Sequence, residues 1–206
     1  MMKHFAHMKR LISRGFTLLE TLVAISILSI AIVAPMTLTA QSLSAAYYAR
    51  DQITAFQLAQ EAIEVVRSVR DSNILKVALG NSANLLDGIP STNGQPFVVD
   101  TTAAPASAMH LCSGGSAPGY GCPPLQTDGN VYAYSPSCTW PTSDCGASSG
   151  WTNTRFTRAV QATLVNGNPD EVRITVTVSW QTGRFQTRSF NISEDMYRWV
   201  VSGSGV

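Results

Sequence analysis

Arg14-Gly15-Phe16-Thr17-Leu18-Leu19-Glu20 joins a basic leader to a long apolar run that reaches about Leu38. Lys3, Lys9, Arg10 and Arg14 crowd the leader, and no Asp or Glu precedes Glu20. The apolar run is about twenty residues, long enough to span a bilayer. A carboxylate five residues into such a segment is expensive, at roughly 2.5–3.5 kcal/mol at a helix centre and less near the interface. A plain anchor gains nothing from it, so Glu20 calls for a cationic partner. Cutting between Gly15 and Phe16 would supply one, because the new α-ammonium would stand at the same end of the helix as Glu20.

The positive leader predicts a cytoplasmic N-terminus and export of the remainder. A removable secretory signal would have a shorter apolar core and a small-residue cleavage box on its far side. Here the apolar run continues directly into amphipathic sequence, and Ile32-Val33-Ala34-Pro35 makes a poor box. The expectation is a retained single-pass anchor in the inner or cytoplasmic membrane, with an extracytoplasmic C-terminal domain. Each residue of the motif also has an ordinary reading: a flexible Gly15, an interfacial Phe16, a Glu20 that snorkels to the headgroups. Their conjunction behind a basic leader is what carries information.

Gly15-Phe16-Thr17-Leu18-Leu19-Glu20 resembles the processing site of type IV pilins and type II secretion pseudopilins. The resemblance implies cleavage after Gly15 by prepilin peptidase, a membrane aspartyl protease that then methylates the new N-terminal Phe16. It implies that Glu20 guides assembly by neutralising the N-terminus of a neighbouring subunit. Implied partners are the peptidase, other pilin or pseudopilin subunits met through the N-terminal helix, and an inner-membrane assembly platform. The implied destination is a pilus or pseudopilus filament. Leu58-Ala59-Gln60-Glu61-Ala62-Ile63-Glu64-Val65-Val66-Arg67 resembles a pattern of minor pilins and tilts the reading away from a major subunit.

From Phe16 to about Asp71 there is no Gly and a single Pro, which predicts one helix about 80 Å long at 1.5 Å per residue. Pro35 predicts a kink or local melting. Beyond it, Ile53, Phe56, Ala59, Ile63 and Val66 recur at steps of three and four and predict the buried face. Glu64 with Arg67, and Arg67 with Asp71, have ion-pair spacing on the wetter face.

From Asn81 to about Asn153 the composition turns to Gly, Ser, Pro, Asn and Thr. Phe97-Val98-Val99 and Val131-Tyr132-Ala133-Tyr134 are short strand candidates there. Cys112, Cys122, Cys138 and Cys145 all lie in this exported region, where an even count reads as two disulfides with three possible pairings. Cys112–Cys122 and Cys138–Cys145 are the expected pairs, because each brackets a loop that closes locally. Each closure is worth roughly 2–3 kcal/mol. Zinc is disfavoured by the absence of Cys-x-x-Cys spacing.

The last third predicts three antiparallel strands: Phe156–Leu164, with Arg158 intruding on its apolar face, then Val172–Ser179, then Arg184–Ile192. Turns are expected at Asn166–Asp170 and Gln181-Thr182-Gly183. Such a meander needs a cover, which the amphipathic helix supplies. The expected class is therefore α+β and pilin-like, a long N-terminal helix on a C-terminal antiparallel sheet. The expected divisions are 1–15 leader, 16–38 membrane half of the helix, 39–72 amphipathic half, 73–153 loop-rich region, and 154–206 meander and tail.

No other chemistry is framed. His110 is the only histidine beyond the leader, near Ser107 and Ser113 but without a nucleophile elbow. Asp170-Glu171 and Glu194-Asp195 read as turn or loop residues. Asn166, Asn168 and Asp170 could offer oxygens to calcium, which certain pseudopilins bind, but a turn explains them. Arg155, Arg158, Arg173, Arg184, Arg188 and Arg198, interleaved with Trp151, Phe156, Trp180, Phe185 and Trp199, could bind DNA as some competence pilins do. A solvated strand face and a core explain the same residues. Net charge is only +1 over 206 residues, so no global field favours nucleic acid. The chain reads as a structural subunit with no catalytic set, metal or cofactor. The other reading is an anchored extracytoplasmic binding or adhesion protein whose stapled loops hold a ligand.

Overall fold

The computed structural model describes residues 15–84, 86–112, 121–140, 144–145, 148–182 and 186–198. The chain forms two compact units, residues 1–47 and 48–206. One helix, α1, Leu18–Ala78, contributes to both and continues through Pro35 without a break in its assignment. It is long and apolar enough to cross a membrane.

In the first unit every described side chain from Gly15 to Tyr47 is exposed. Several hydroxyls in this stretch donate to carbonyls within the helix. Thr21 donates to Leu18 O, Ser26 to Leu22 O, Ser29 to Ile25 O and Thr37 to Ala34 O, all at 2.7–2.8 Å. Such back-bonding lets short polar side chains enter a medium that offers no water.

In the second unit α1 ends in a Schellman motif. Gly80 adopts φ +81°, its N–H donates to Val77 O, and Asn81 N–H donates to Lys76 O. This closes carbonyls that the last turn would leave orphaned. The buried face of the helix is Asp51, Ala55, Leu58, Ala59, Ala62, Ile63, Val66, Val69 and Asn73. This corrects the expected face in part: Ile53 is 60% and Phe56 40% exposed. The true face is centred on the small side chains Ala55, Ala59 and Ala62. Phe56 sits at its rim, edge-on to Phe190. Arg67 pairs with Glu64 as its spacing predicts and also with Glu194, while Asp71 pairs with Arg70 rather than Arg67.

The sheet has seven strands, all antiparallel. The expected meander is β7 (Thr152–Val165), β8 (Asn168–Thr182) and β9 (Gln186–Tyr197). The far side of β7 is shared by two short pairs, β1 (Phe97–Val99) with β2 (Met109–Leu111), and β3 (Pro124–Thr127) with β4 (Tyr132–Ala133). A separate ribbon joins β5 (Cys138–Thr139) and β6 (Asp144–Cys145). The loop-rich stretch thus contributes four strands to the main sheet. Asn166 at φ +51° and Gly167 at φ +73° turn β7 into β8, the left-handed pair favoured in tight hairpins. Gly183 and Arg184, assigned to the next turn and strand, lie outside the described residues. Asp170, Glu171, Glu194 and Asp195 stand in strands, not loops. Cross-strand pairing explains this, since Arg173 holds Asp195 bidentately at 2.7 and 2.8 Å.

Val172, Ile174, Val176, Val178 and Trp180 of β8 and Phe156, Val160 and Ala162 of β7 close the core against α1. Arg158 occupies the same inward register yet is wholly buried. Its guanidinium donates to Leu58 O at 2.9 Å and Val99 O at 2.6 Å, and Glu61 Oε2 lies 3.5 Å away. The intruding arginine of the sequence therefore ties α1, β1 and β7 together. Truncation would leave the Val99 carbonyl without this donor, beside a cavity. Arg158→Ala is expected to cost about 3 kcal/mol of unfolding free energy, read by urea titration of tryptophan fluorescence on the full chain in detergent. A loss below about 1 kcal/mol would show the tie to be dispensable.

Candidate functional site

The helix begins at Leu18 because Thr17 caps it. The Glu20 N–H donates to Thr17 Oγ1 at 3.3 Å, and the Thr21 N–H donates to Thr17 O at 3.2 Å. Thr17 is thus the N-cap and Glu20 the N3 residue, the Ser/Thr-x-x-Glu pattern of a capping box. This role of Thr17 escaped the reading of the motif, although its spacing to Glu20 is the signal that could have found it.

Gly15, Phe16 and Thr17 precede the helix in non-helical conformation. Phe16 is 75% exposed, and a Cβ built on Gly15 meets nothing within 4 Å. Among the described residues nothing in the fold itself calls for glycine at this position. A proteolytic enzyme needs an extended, reachable bond, and the Gly15–Phe16 bond lies outside the helix.

Glu20 is the only charged residue between Arg14 and Arg50. It lies in the first turn of α1, where the helix dipole favours a negative group. Among the described residues no ion pair involves it. The three residues singled out in the motif therefore stand together on an exposed helix start: Gly15 and Phe16 ahead of the cap, Glu20 one turn inside it.

The remaining candidates serve the architecture. Cys112–Cys122 and Cys138–Cys145 are disulfides, and the second links directly paired positions of β5 and β6. His110 stacks flat on Trp140, centroids 4.4 Å apart, with Tyr134 edge-on to the same indole. Ser113 lies outside the described residues. The Tyr134 phenol is fully buried, and desolvation raises its pKa well above the ordinary range. Asn166 is a turn residue, Asn168 Oδ1 accepts the Asp170 N–H, and the Asp170 carboxylate is taken by Arg198. Among the described residues no cluster suited to a metal ion occurs.

The arginines do not form one basic face. Arg155 reaches the buried Asp51 at 2.7 Å, Arg158 is internal, and Arg173 and Arg198 pair with Asp195 and Asp170. Arg188 lies over the Tyr48 ring, and Arg184 is outside the described residues. Phe156 and Trp180 are core, while Phe185 and Trp199 also fall outside. Among the described residues, Arg155, Arg158, Arg173 and Arg198 each have a carboxylate partner.

Residues 11–34 match the family model described as the prokaryotic N-terminal methylation motif. The chain carries the type IV pilin and pseudopilin signature. That match supports a structural pilin- or pseudopilin-like subunit. No curated protein and no solved structure matches the chain.

The cap makes a local prediction for this pilin-like chain. Thr17→Val keeps the shape but loses the acceptor, at about 1 kcal/mol. Amide exchange at Glu20 is expected to quicken about fivefold in detergent micelles, with Thr17→Ser near wild type. Unchanged exchange in Thr17→Val would remove Thr17 as the cap.

Proposed function

We propose that the protein is a minor pilin or minor pseudopilin, cut between Gly15 and Phe16 by prepilin peptidase and N-methylated at Phe16. The observation that carries this reading is the exposed, non-helical Gly15–Phe16 bond one turn ahead of Glu20, inside the matched motif. Cleavage removes four leader cations, Lys3, Lys9, Arg10 and Arg14, which would otherwise hold the chain at the cytoplasmic surface. It also creates an ammonium next to a helix N-terminus, where a positive charge is disfavoured by the dipole.

Glu20 resolves both charges. In hydrocarbon, an isolated carboxylate and an isolated ammonium are each costly, whereas a pair is far less so. Pairing Glu20 of an incoming subunit with Phe16 of a neighbour makes filament entry the favourable outcome for both. The apolar residues of α1 that are exposed in a single chain, such as Leu22, Ile25, Ile27 and Leu28, then pack against their counterparts. The second unit rides outside the membrane and presents its sheet and stapled loops. The chain acts as substrate of the peptidase and as a building unit, not as an enzyme. Its partners are the peptidase, neighbouring subunits and the assembly platform.

Glu20→Ala is expected to be cut at a near-normal rate but to enter filaments poorly, scored by immunoblot of sheared filaments against membrane fractions. Gly15→Val is expected to retain the fold and remain uncut. Normal filament entry of Glu20→Ala would sink the charge-pairing mechanism.

A further inference from the structure

The far edge of the sheet is formed by β9. All 12 of its residues are paired with β8 in one unbroken register, from Glu171↔Tyr197 to Thr182↔Gln186. Among the described residues no strand pairs with its outer edge. Soluble proteins blunt such edges with proline, charged side chains, a bulge or short length, and of these β9 carries only charges, at Arg188, Glu194 and Asp195. Gln186–Tyr197 contains no Pro, Lys or Gly, and its ladder has no bulge. The opposite side of the sheet ends instead in strands of three and two residues.

The sequence of this edge is chemically self-complementary about Asn191. Moving outward, Phe190 is matched by Ile192, Ser189 by Ser193 and Arg188 by Glu194. Residues equidistant from Asn191 share a face of the strand. Two copies of β9 laid antiparallel about a two-fold axis through Asn191 therefore place every like face together. The pairing sets Arg188 of each copy opposite Glu194 of the other, twice. It also sets half-buried Phe190 against half-buried Ile192 and Ser189 against Ser193. Such cross-strand charge, apolar and hydroxyl pairs each stabilise a sheet. Within one chain both oxygens of Glu194 already accept from Arg67, so the second guanidinium shares that carboxylate.

We propose that β9 is a homotypic docking edge whose occupant is β9 of a second copy, giving one continuous sheet across a two-fold axis. The axis is perpendicular to the sheet, so it reverses the α1 residues packed there. Subunits related by the helical symmetry of one filament share a direction. The paired copies consequently belong to different filaments or membranes, and the contact acts between them. This last step rests on the reading of the chain as a filament subunit; the pairing of the edges does not.

The test uses the full chain in detergent, where copies are free to turn. The two-fold places the two Asn191 Cα atoms about 4.5–5.5 Å apart in either ladder register, within disulfide reach. Asn191→Cys is expected to oxidise to a covalent dimer at least about tenfold faster than Gln57→Cys, an exposed control on α1. Arg188→Glu on the Asn191→Cys background is expected to lower dimer yield about tenfold, because two attractions become two repulsions. Mixing that chain with a Glu194→Arg, Asn191→Cys chain restores complementarity and the cross-link, which also shows both variants to be folded. Repeating the measurement with Glu20→Ala separates the edge from helix-driven assembly, and the cross-link is expected to persist. A dimer no faster than the Gln57→Cys control, indifference to Arg188→Glu, or loss with Glu20→Ala would each overturn the proposal.

Discussion

Closure of the alanine-lined face of α1 on β7 and β8 is the contact on which the second unit depends. Ala55, Ala59 and Ala62 are buried in one core with Val160, Val176 and Val178. The Leu58 carbonyl of the same helix accepts from the long Arg158 side chain. A guanidinium without exposed surface is costly unless its donors find acceptors; here backbone carbonyls of α1 and β1 take Nη1 and Nη2, while Nε has no partner among the described residues. The outer ties, Arg155 to Asp51 and Arg67 to Glu194, fasten the same helix to β7 and β9 at two further places. Helix and sheet are thus joined by a greasy centre and a few directional polar contacts, which fix where the helix lies on the sheet.

The same helix meets the opposite problem at its start. Among the described residues from Phe16 to Tyr47 its apolar side chains are exposed. Hydroxyls fold back on the backbone and cost little in lipid. Glu20 has no such escape. An exposed apolar rod with one carboxylate near its tip is unstable alone in water and imperfect alone in lipid, and both defects are corrected by neighbours of the same kind. On the proposed reading assembly follows from that deficit, with cleavage after Gly15 supplying the missing cation.

Much of this was legible in the sequence. The glycine-free run announced α1, and the alternation Val172, Ile174, Val176, Val178 announced β8. The motif at residues 15–20 stood out because its parts make sense only together. What was missed has identifiable causes. Ranking helix faces by bulk favoured Ile53 and Phe56, while the buried stripe runs through Ala55, Ala59 and Ala62. Glu194 and Asp195 looked like a loop because partners across the sheet, Arg67 and Arg173, are far away in sequence. Strands of two to four residues such as β2 and β3 leave no periodicity to detect, and β3 even opens on a proline. Arg158 lay in the correct inward register all along, but the carbonyls that satisfy it come from residues about 60 and 100 positions away.

Mass spectrometry of the N-terminal peptide of protein purified from its native membrane tests the central claim most directly. The account predicts a mature chain that begins with N-methylated Phe16. A chain that retains residues 1–15 in cells with an active prepilin peptidase would contradict it, and Glu20 would then need another partner.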